Sequence, residues 1–235
     1  MPENYPHAHP LLKPPIIQMA GARSLDEALL AAKAGATHLG LPLRLDVHTP
    51  DVDDRTARDI VAALPETLMP ALITYQRRPE DVVELCAKLG VRVVQLHGDV
   101  SIEELAELRR LAPELAVIKS LIVGQASLDA LLERMRAYAP LVHAFITDTF
   151  DPSTGASGAT GRTHDWSVSR ALAAASPRPL ILAGGLDPEN VGRAVDVVRP
   201  AGVDAHTGLE DASGAKDFEK MKAFAARALQ AWRKM

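Results

Sequence analysis

Acids, imidazoles and glycine pairs fall at regular intervals in this chain, each at the end of a short apolar run. Asp148 closes Val142-His143-Ala144-Phe145-Ile146-Thr147 and opens a loop of Gly, Ser and Thr that ends at Asp165-Trp166. Such a loop cannot build a core, but it can wrap a polar ligand with backbone N–H groups. Leu180-Ile181-Leu182 breaks at Gly184-Gly185 into a helix start with Pro188, an arrangement in which unpaired helix amides face an anion. Val203-Asp204-Ala205-His206-Thr207-Gly208-Leu209-Glu210 repeats that logic one unit later. His97 ends Val94-Gln95-Leu96, Lys119 ends another run, and Asp46 and His48 lie in the loop after the second run. Histidines and carboxylates are the groups that move protons near neutral pH, so the chemistry expected is acid–base work on a phosphorylated ligand.

Positioning these groups requires a repeating scaffold. Strand-like runs at about 16–19, 37–41, 68–74, 91–96, 115–119, 142–148, 180–183 and 202–205 alternate with helical segments, one of them from about Asp51 to Ala63. Among them, Ser24 with Glu27 and Ser101 with Glu104 stand at capping-box spacing, and Gly35 and Gly90 stand as helix stops. Eight strand-then-helix units predict an α/β fold, an eight-fold β/α (TIM) barrel in a single domain spanning 15–235. Residues 1–14, rich in Pro and His, are expected to be a flexible N-terminal tail. A doubly wound sheet fits less well, because its glycine signals would follow the first strand.

At 235 residues and 47% hydrophobic content the chain can bury one sizeable core. A net charge of −4 without a basic stripe argues against nucleic acid. No apolar run reaches membrane-spanning length, and the one cysteine, Cys86, rules out a disulfide framework within the chain. A cytoplasmic location is expected.

The motifs Val94-Gln95-Leu96-His97-Gly98, Asp148-Thr149 with Gly158-Ala159-Thr160-Gly161, Leu182-Ala183-Gly184-Gly185-Leu186 and Thr207-Gly208-Leu209-Glu210 resemble those of the phosphoribosylanthranilate isomerase family. The resemblance covers nearly the whole chain and implies an Amadori rearrangement of an N-linked phosphoribosyl amine without a cofactor. It implies Asp148 as the general acid and Gly184, Gly185, His206, Thr207 and Gly208 as the phosphate site, with His206 where a small hydroxyl residue is usual. A phosphorylated sugar would be the ligand, and a monomer or homodimer the assembly.

Two departures stand out. The family's first-strand motif Lys-Ile-Cys-Gly, whose cysteine removes the C2 proton, is Gln18-Met19-Ala20-Gly21 here. Its arginine after strand two, which meets the anthranilate carboxylate, is replaced by the acid of Thr49-Pro50-Asp51. An altered substrate is therefore expected, with a relocated base: His48 first, and His97 as a family residue near it. His206 is expected to shape the phosphate pocket, Lys119 to contact a ligand or snorkel, and His7, His9 and His38 to lie in the tail or on the surface. Asp46, His48, His97, Asp148 and His206 could alternatively hold a metal, giving a metal-assisted epimerase or aldolase. A non-catalytic phospholigand-binding barrel is the third reading.

Overall fold

The computed structural model describes residues 8–46, 49–151, 156–157 and 163–235. Strands β1 (Ile16–Ala20), β2 (His38–Pro42), β3 (Met69–Thr74), β4 (Val93–Leu96), β5 (Ala116–Val123) and β6 (Ala144–Asp151) come first. A two-residue strand β7 (Ala156–Ser157) precedes β8 (Leu180–Leu182) and β9 (Gly202–Ala205). Between them run α1 (Leu25–Ala34), α2 (Asp54–Ala63), α3 (Pro79–Leu89), α4 (Ile102–Leu111), α5 (Leu128–Tyr138), α6 (Trp166–Ala175) and α7 (Val191–Val198), with α8 (Phe218–Arg233) last. All strands except β7 are parallel, in the order β5-β4-β3-β2-β1-β9-β8-β6, and a β5–β6 pairing closes the ring. This is the eight-fold β/α barrel expected from the sequence.

Alternation along each strand divides the core in two. Leu39, Leu41, Val94, Val117 and Phe145 face the helices in one large cluster. Ile16, Ala71, Val93, Ala116, Ile118, Ala144, Ile146 and Ile181 fill the barrel interior. Leu12 belongs to this inner set and is fully buried, carried there by a 3-10 turn, Pro10–Leu12. Within the segment expected as a tail, Leu12 is therefore packed into the barrel, while residues 1–7 lie outside the described residues.

Helix starts follow their caps. Ser101 and Glu104 complete the expected capping box. At α1 the Ser24 side chain accepts from Glu27 N–H, but the Glu27 carboxylate reaches Arg23 N–H instead of closing a box. The helix expected from Asp51 begins three residues later, because Asp53 supplies the cap by accepting from Thr56 N–H at 2.8 Å. That shift frees Asp51 for the site. β5 extends past Lys119 to Val123, where its ladder with β6 continues to the Val123–Thr149 pair. The sequence reading did not foresee β7, which pairs antiparallel with the end of β6.

Candidate active site

A cavity of about 340 Å3 opens at the carboxyl ends of the strands. It is lined by Ala20, Asp51, Tyr75, Gln95, His97, Asp148, Gly184, Gly185, Asp204, His206, Thr207, Gly208 and Glu210, among others. Asp148, His97 and all five residues expected around a phosphate therefore share one space. His48 lies outside the described residues.

The floor of the site is a chain of polar groups crossing the barrel. Gln18 Nε2 donates to Asp204 Oδ1 at 2.9 Å and to Gln95 Oε1 at 2.8 Å. Gln95 Nε2 in turn donates to His97 Nε2 at 2.6 Å. An amide nitrogen only donates, so the His97 Nε2 accepts and a neutral ring carries its proton on Nδ1. That nitrogen faces Asp148 Oδ2 at 3.8 Å, beyond hydrogen-bond reach. Burial, with the Lys119 charge adding to it, pushes His97 down to about 3, so the approach to Asp148 is that of a neutral imidazole rather than an ion pair. Tyr75 stacks on the ring at 5.5 Å between centroids. Asp148 Oδ1 accepts from Thr149 N–H at 2.7 Å, which fixes the carboxyl. Burial raises Asp204 to about 6, against the hydrogen bond from Gln18 that lowers it.

Two turns form the opposite wall. Gly184 and Gly185 have φ of 98° and 61°, a backbone that side chains disfavour. A Cβ on Gly184 would also collide with Thr149 Oγ1. Asn190 ties the turn by donating to Gly185 O at 2.9 Å and accepting from Asp187 N–H at 3.1 Å. The second turn, His206 to Glu210, is held by Lys216, whose Nζ donates to His206 O at 3.1 Å and to Glu210 Oε1 at 2.8 Å.

Several residues sit where the sequence did not suggest. His38, expected at the surface, is buried beneath the barrel, with Nε2 2.8 Å from Leu11 O and Nδ1 2.8 Å from Thr37 Oγ1. It faces the interior because β2 is paired on both sides and its inward positions have no solvent to reach. Lys119 neither reaches the first cavity nor snorkels to solvent. It is buried, lines a second cavity near α5, and donates to Leu96 O at 3.3 Å, Gly98 O at 3.0 Å and Ser120 O at 3.3 Å. Burial lowers it to about 8. Asp46 lines that second cavity as well. Tyr75, Gln95 and His164 were missed as site-building residues; His164 bridges Thr149 Oγ1 at 2.9 Å and Ser169 Oγ at 2.5 Å. Only the inward parity of Gln95 on an apolar strand could have flagged it. Among the described residues no three His, Cys, Asp or Glu side chains gather as a metal site.

A closed parallel barrel that collects its ionisable groups and glycine turns at one mouth is a (β/α)8-barrel enzyme. The comparisons narrow the class. The family model of N-(5'-phosphoribosyl)anthranilate (PRA) isomerase matches residues 17–227. N-(5'-phosphoribosyl)anthranilate isomerase 2 of Methanosarcina mazei is 38% identical over 90% of this chain and 93% of its own. The Haloferax volcanii isomerase is 40% identical over 86% of this chain and 89% of its own. The crystal structure of the Thermotoga maritima isomerase superposes with a TM-score of 0.77 at 30% identity, covering 92% of this chain and 98% of that one. The chain belongs to the phosphoribosylanthranilate isomerase family and is an isomerase of the intramolecular oxidoreductase class.

Proposed function

We propose that the chain performs an Amadori-type aldose–ketose isomerisation of an N-linked phosphoribosyl amine, with Asp148 as general acid. The observation that carries this reading is that Asp148 and both glycine turns open into one cavity. In the proposed reaction Asp148 protonates the ring oxygen, the C1–O bond breaks, and the amine lone pair forms a C1=N iminium. A base then takes the C2 proton, the electron pair relaxes onto nitrogen, and the enolamine tautomerises to a 1-amino-1-deoxyribulose 5-phosphate. Hydrogen moves within one substrate, so the reaction as written consumes no oxidant. Gly184, Gly185, Thr207 and Gly208 take the phosphate in this reading, and His97 positions Asp148. A related isomerase has been crystallised with reduced 1-(o-carboxyphenylamino)-1-deoxyribulose 5-phosphate, which supports a ligand of this shape.

The amine-borne group is proposed to differ from anthranilate. No Arg or Lys is among the described residues lining the cavity, whereas Asp51, Asp148, Asp204 and Glu210 are. A carboxylate placed beside Asp51 would be repelled, so a neutral or cationic group fits better. We place the enzyme in the cytoplasm; no described helix is long and apolar enough to cross a membrane. Its assembly is read as monomer or homodimer, and the Thermotoga maritima relative is described as dimeric.

The test is the loss of substrate fluorescence on phosphoribosylanthranilate, wild type beside Asp148→Asn. Turnover abolished by the substitution supports the reaction and the acid. Binding of ribulose 5-phosphate, which lacks the carboxyphenylamino group, without turnover of phosphoribosylanthranilate supports the phosphosugar site with a different amine. Absence of both sinks the proposal.

A further inference from the structure

The proposed reaction needs a proton acceptor besides Asp148, and Ala20 at the end of β1 offers only a methyl group. Besides Asp148, five imidazole or carboxylate groups face the cavity from the described residues: Asp51, His97, Asp204, His206 and Glu210. Asp51 and Glu210 both stand against the His206 ring. His97 has spent its acceptor nitrogen on Gln95, and its other nitrogen carries the proton. Asp204 receives the Gln18 amide on Oδ1 and sits within β9, paired with β1 at Gln18.

His206 is built differently. It stands just past β9, and its ring lies so close to Gly21 that a Cβ there would overlap it. Its Nε2 is 3.4 Å from Glu210 Oε1 and 3.6 Å from Asp51 Oδ1. Glu210 is itself fixed by Lys216, and Asp51 is present because α2 begins after it. Nδ1 makes no hydrogen bond with any described residue, and the ring lines the cavity. A carboxylate on each side makes Nε2 the protonated nitrogen and leaves the Nδ1 lone pair for a ligand.

We propose that His206 is the general base of this enzyme, a catalytic residue whose Nδ1 takes the C2 proton while Asp51 and Glu210 flank Nε2 as charged neighbours. The assignment rests on the isomerase reading given above. The Nδ1 lone pair takes H+ from C2, the C–H pair becomes the C1=C2 bond, and the C1=N pair moves to nitrogen. The imidazolium then returns its proton to C1 as the C2 hydroxyl gives its own to the Asp148 carboxylate, which restores the acid and leaves the ketone. Asp51, Glu210 and, from β9, Asp204 stand around the ring as carboxylates, with Lys216 as the cation beside them. Burial would raise Asp51, but the His206 hydrogen bond and charge outweigh it and hold the carboxyl below its ordinary value, so it is ionised at neutral pH. The same two carboxylates make His206 a poor phosphate ligand, since a dianion beside Nε2 would meet both.

The decisive experiment pairs kinetics with side-chain NMR on the full chain. With phosphoribosylanthranilate, His206→Asn is expected to lower kcat by roughly 10²–10⁴-fold. It should leave affinity for the reduced phosphoribulose analogue within about tenfold (1.4 kcal/mol). An unchanged kcat, a loss confined to analogue affinity, or an equal loss in Asp204→Asn with none in His206→Asn overturns the assignment. Should wild type not turn this substrate over, the anthranilate reading fails separately, and imidazole NMR decides. A proton on Nε2 and a shift at Nδ1 on adding the analogue support the base. A proton on Nδ1, or no response to the analogue, overturns it.

Discussion

The two mouths of the barrel are both furnished with histidines, and they use them in opposite ways. At the amino-terminal mouth both nitrogens of His38 have partners, and His143 Nδ1 accepts from Val117 N–H at 2.9 Å beside the ring of His9. Leu12 seals the interior above them. At the carboxyl-terminal mouth His97 Nδ1 and Gln18 Oε1 make no hydrogen bond with a described protein group. Four carboxylates crowd one cavity there. Like charges gathered in one space repel, so one end of the barrel is arranged for stability and the other for ligand binding and chemistry.

The largest effect that would sharpen this contrast is on activity. Asp148→Asn is expected to reduce turnover by roughly 10²–10⁴-fold with little loss of stability, read by kcat beside a thermal melt. A large drop in Tm with kcat retained would dissolve the distinction between the ends. Next comes the opposite pattern from the other mouth. Leu12→Ala removes a fully buried side chain and should cost about 2–5 kcal/mol in denaturant unfolding, with kcat per folded molecule unchanged.

The barrel was legible because period-two apolar runs, serine caps and glycine stops recur along the chain, and each signal is local. Asp148, Gly184, Gly185, Thr207 and Gly208 were legible as a shared site because strand ends in this fold converge. What stayed hidden depended on distant partners. His38 is internal only because of the ladders on both sides of β2, and Leu12 reaches the floor only because the barrel leaves a hole there. Asp51 was read as the first residue of a helix, and the cap at Asp53 decides otherwise. His206 looked like part of a phosphate turn; its neighbours Gly21, Asp51 and Glu210 lie in three separate segments, and the first two are far from it in sequence.

An intermediate effect is expected from Asp204. Its folded value of about 6 exceeds its ordinary value of 3.8, so between those pH values the folded state binds the extra proton. Stability from this group is present at low pH and is lost as pH rises through 6. At pH 7 the ionised, buried carboxylate costs on the order of 3 kcal/mol, and Asp204→Asn should recover part of that. Urea unfolding at pH 5 and pH 7 measures it: the substitution should help more at pH 7. An equal effect at both would mean that burial does not set the charge of this group.

The smallest effect returns to the amino-terminal mouth. Because Leu11 O can only accept, His38 Nε2 must donate to it, and burial keeps the ring neutral with its pKa below the ordinary value. His38→Leu keeps a side chain of similar bulk but strands the Leu11 carbonyl, while the Thr37 hydroxyl keeps Ile17 N–H at 2.9 Å and Ile17 O at 3.2 Å. The expected cost is about 1–3 kcal/mol, less where water reaches the loop carbonyl, with kcat and KM unmoved. The outcome tells whether the plug is only a seal. A His38→Leu enzyme that melts earlier but turns over normally keeps the two mouths independent. One that loses turnover at full stability would mean that the floor sets the height of the Gln18–Gln95 layer, so that Asp148 and His97 are positioned from below.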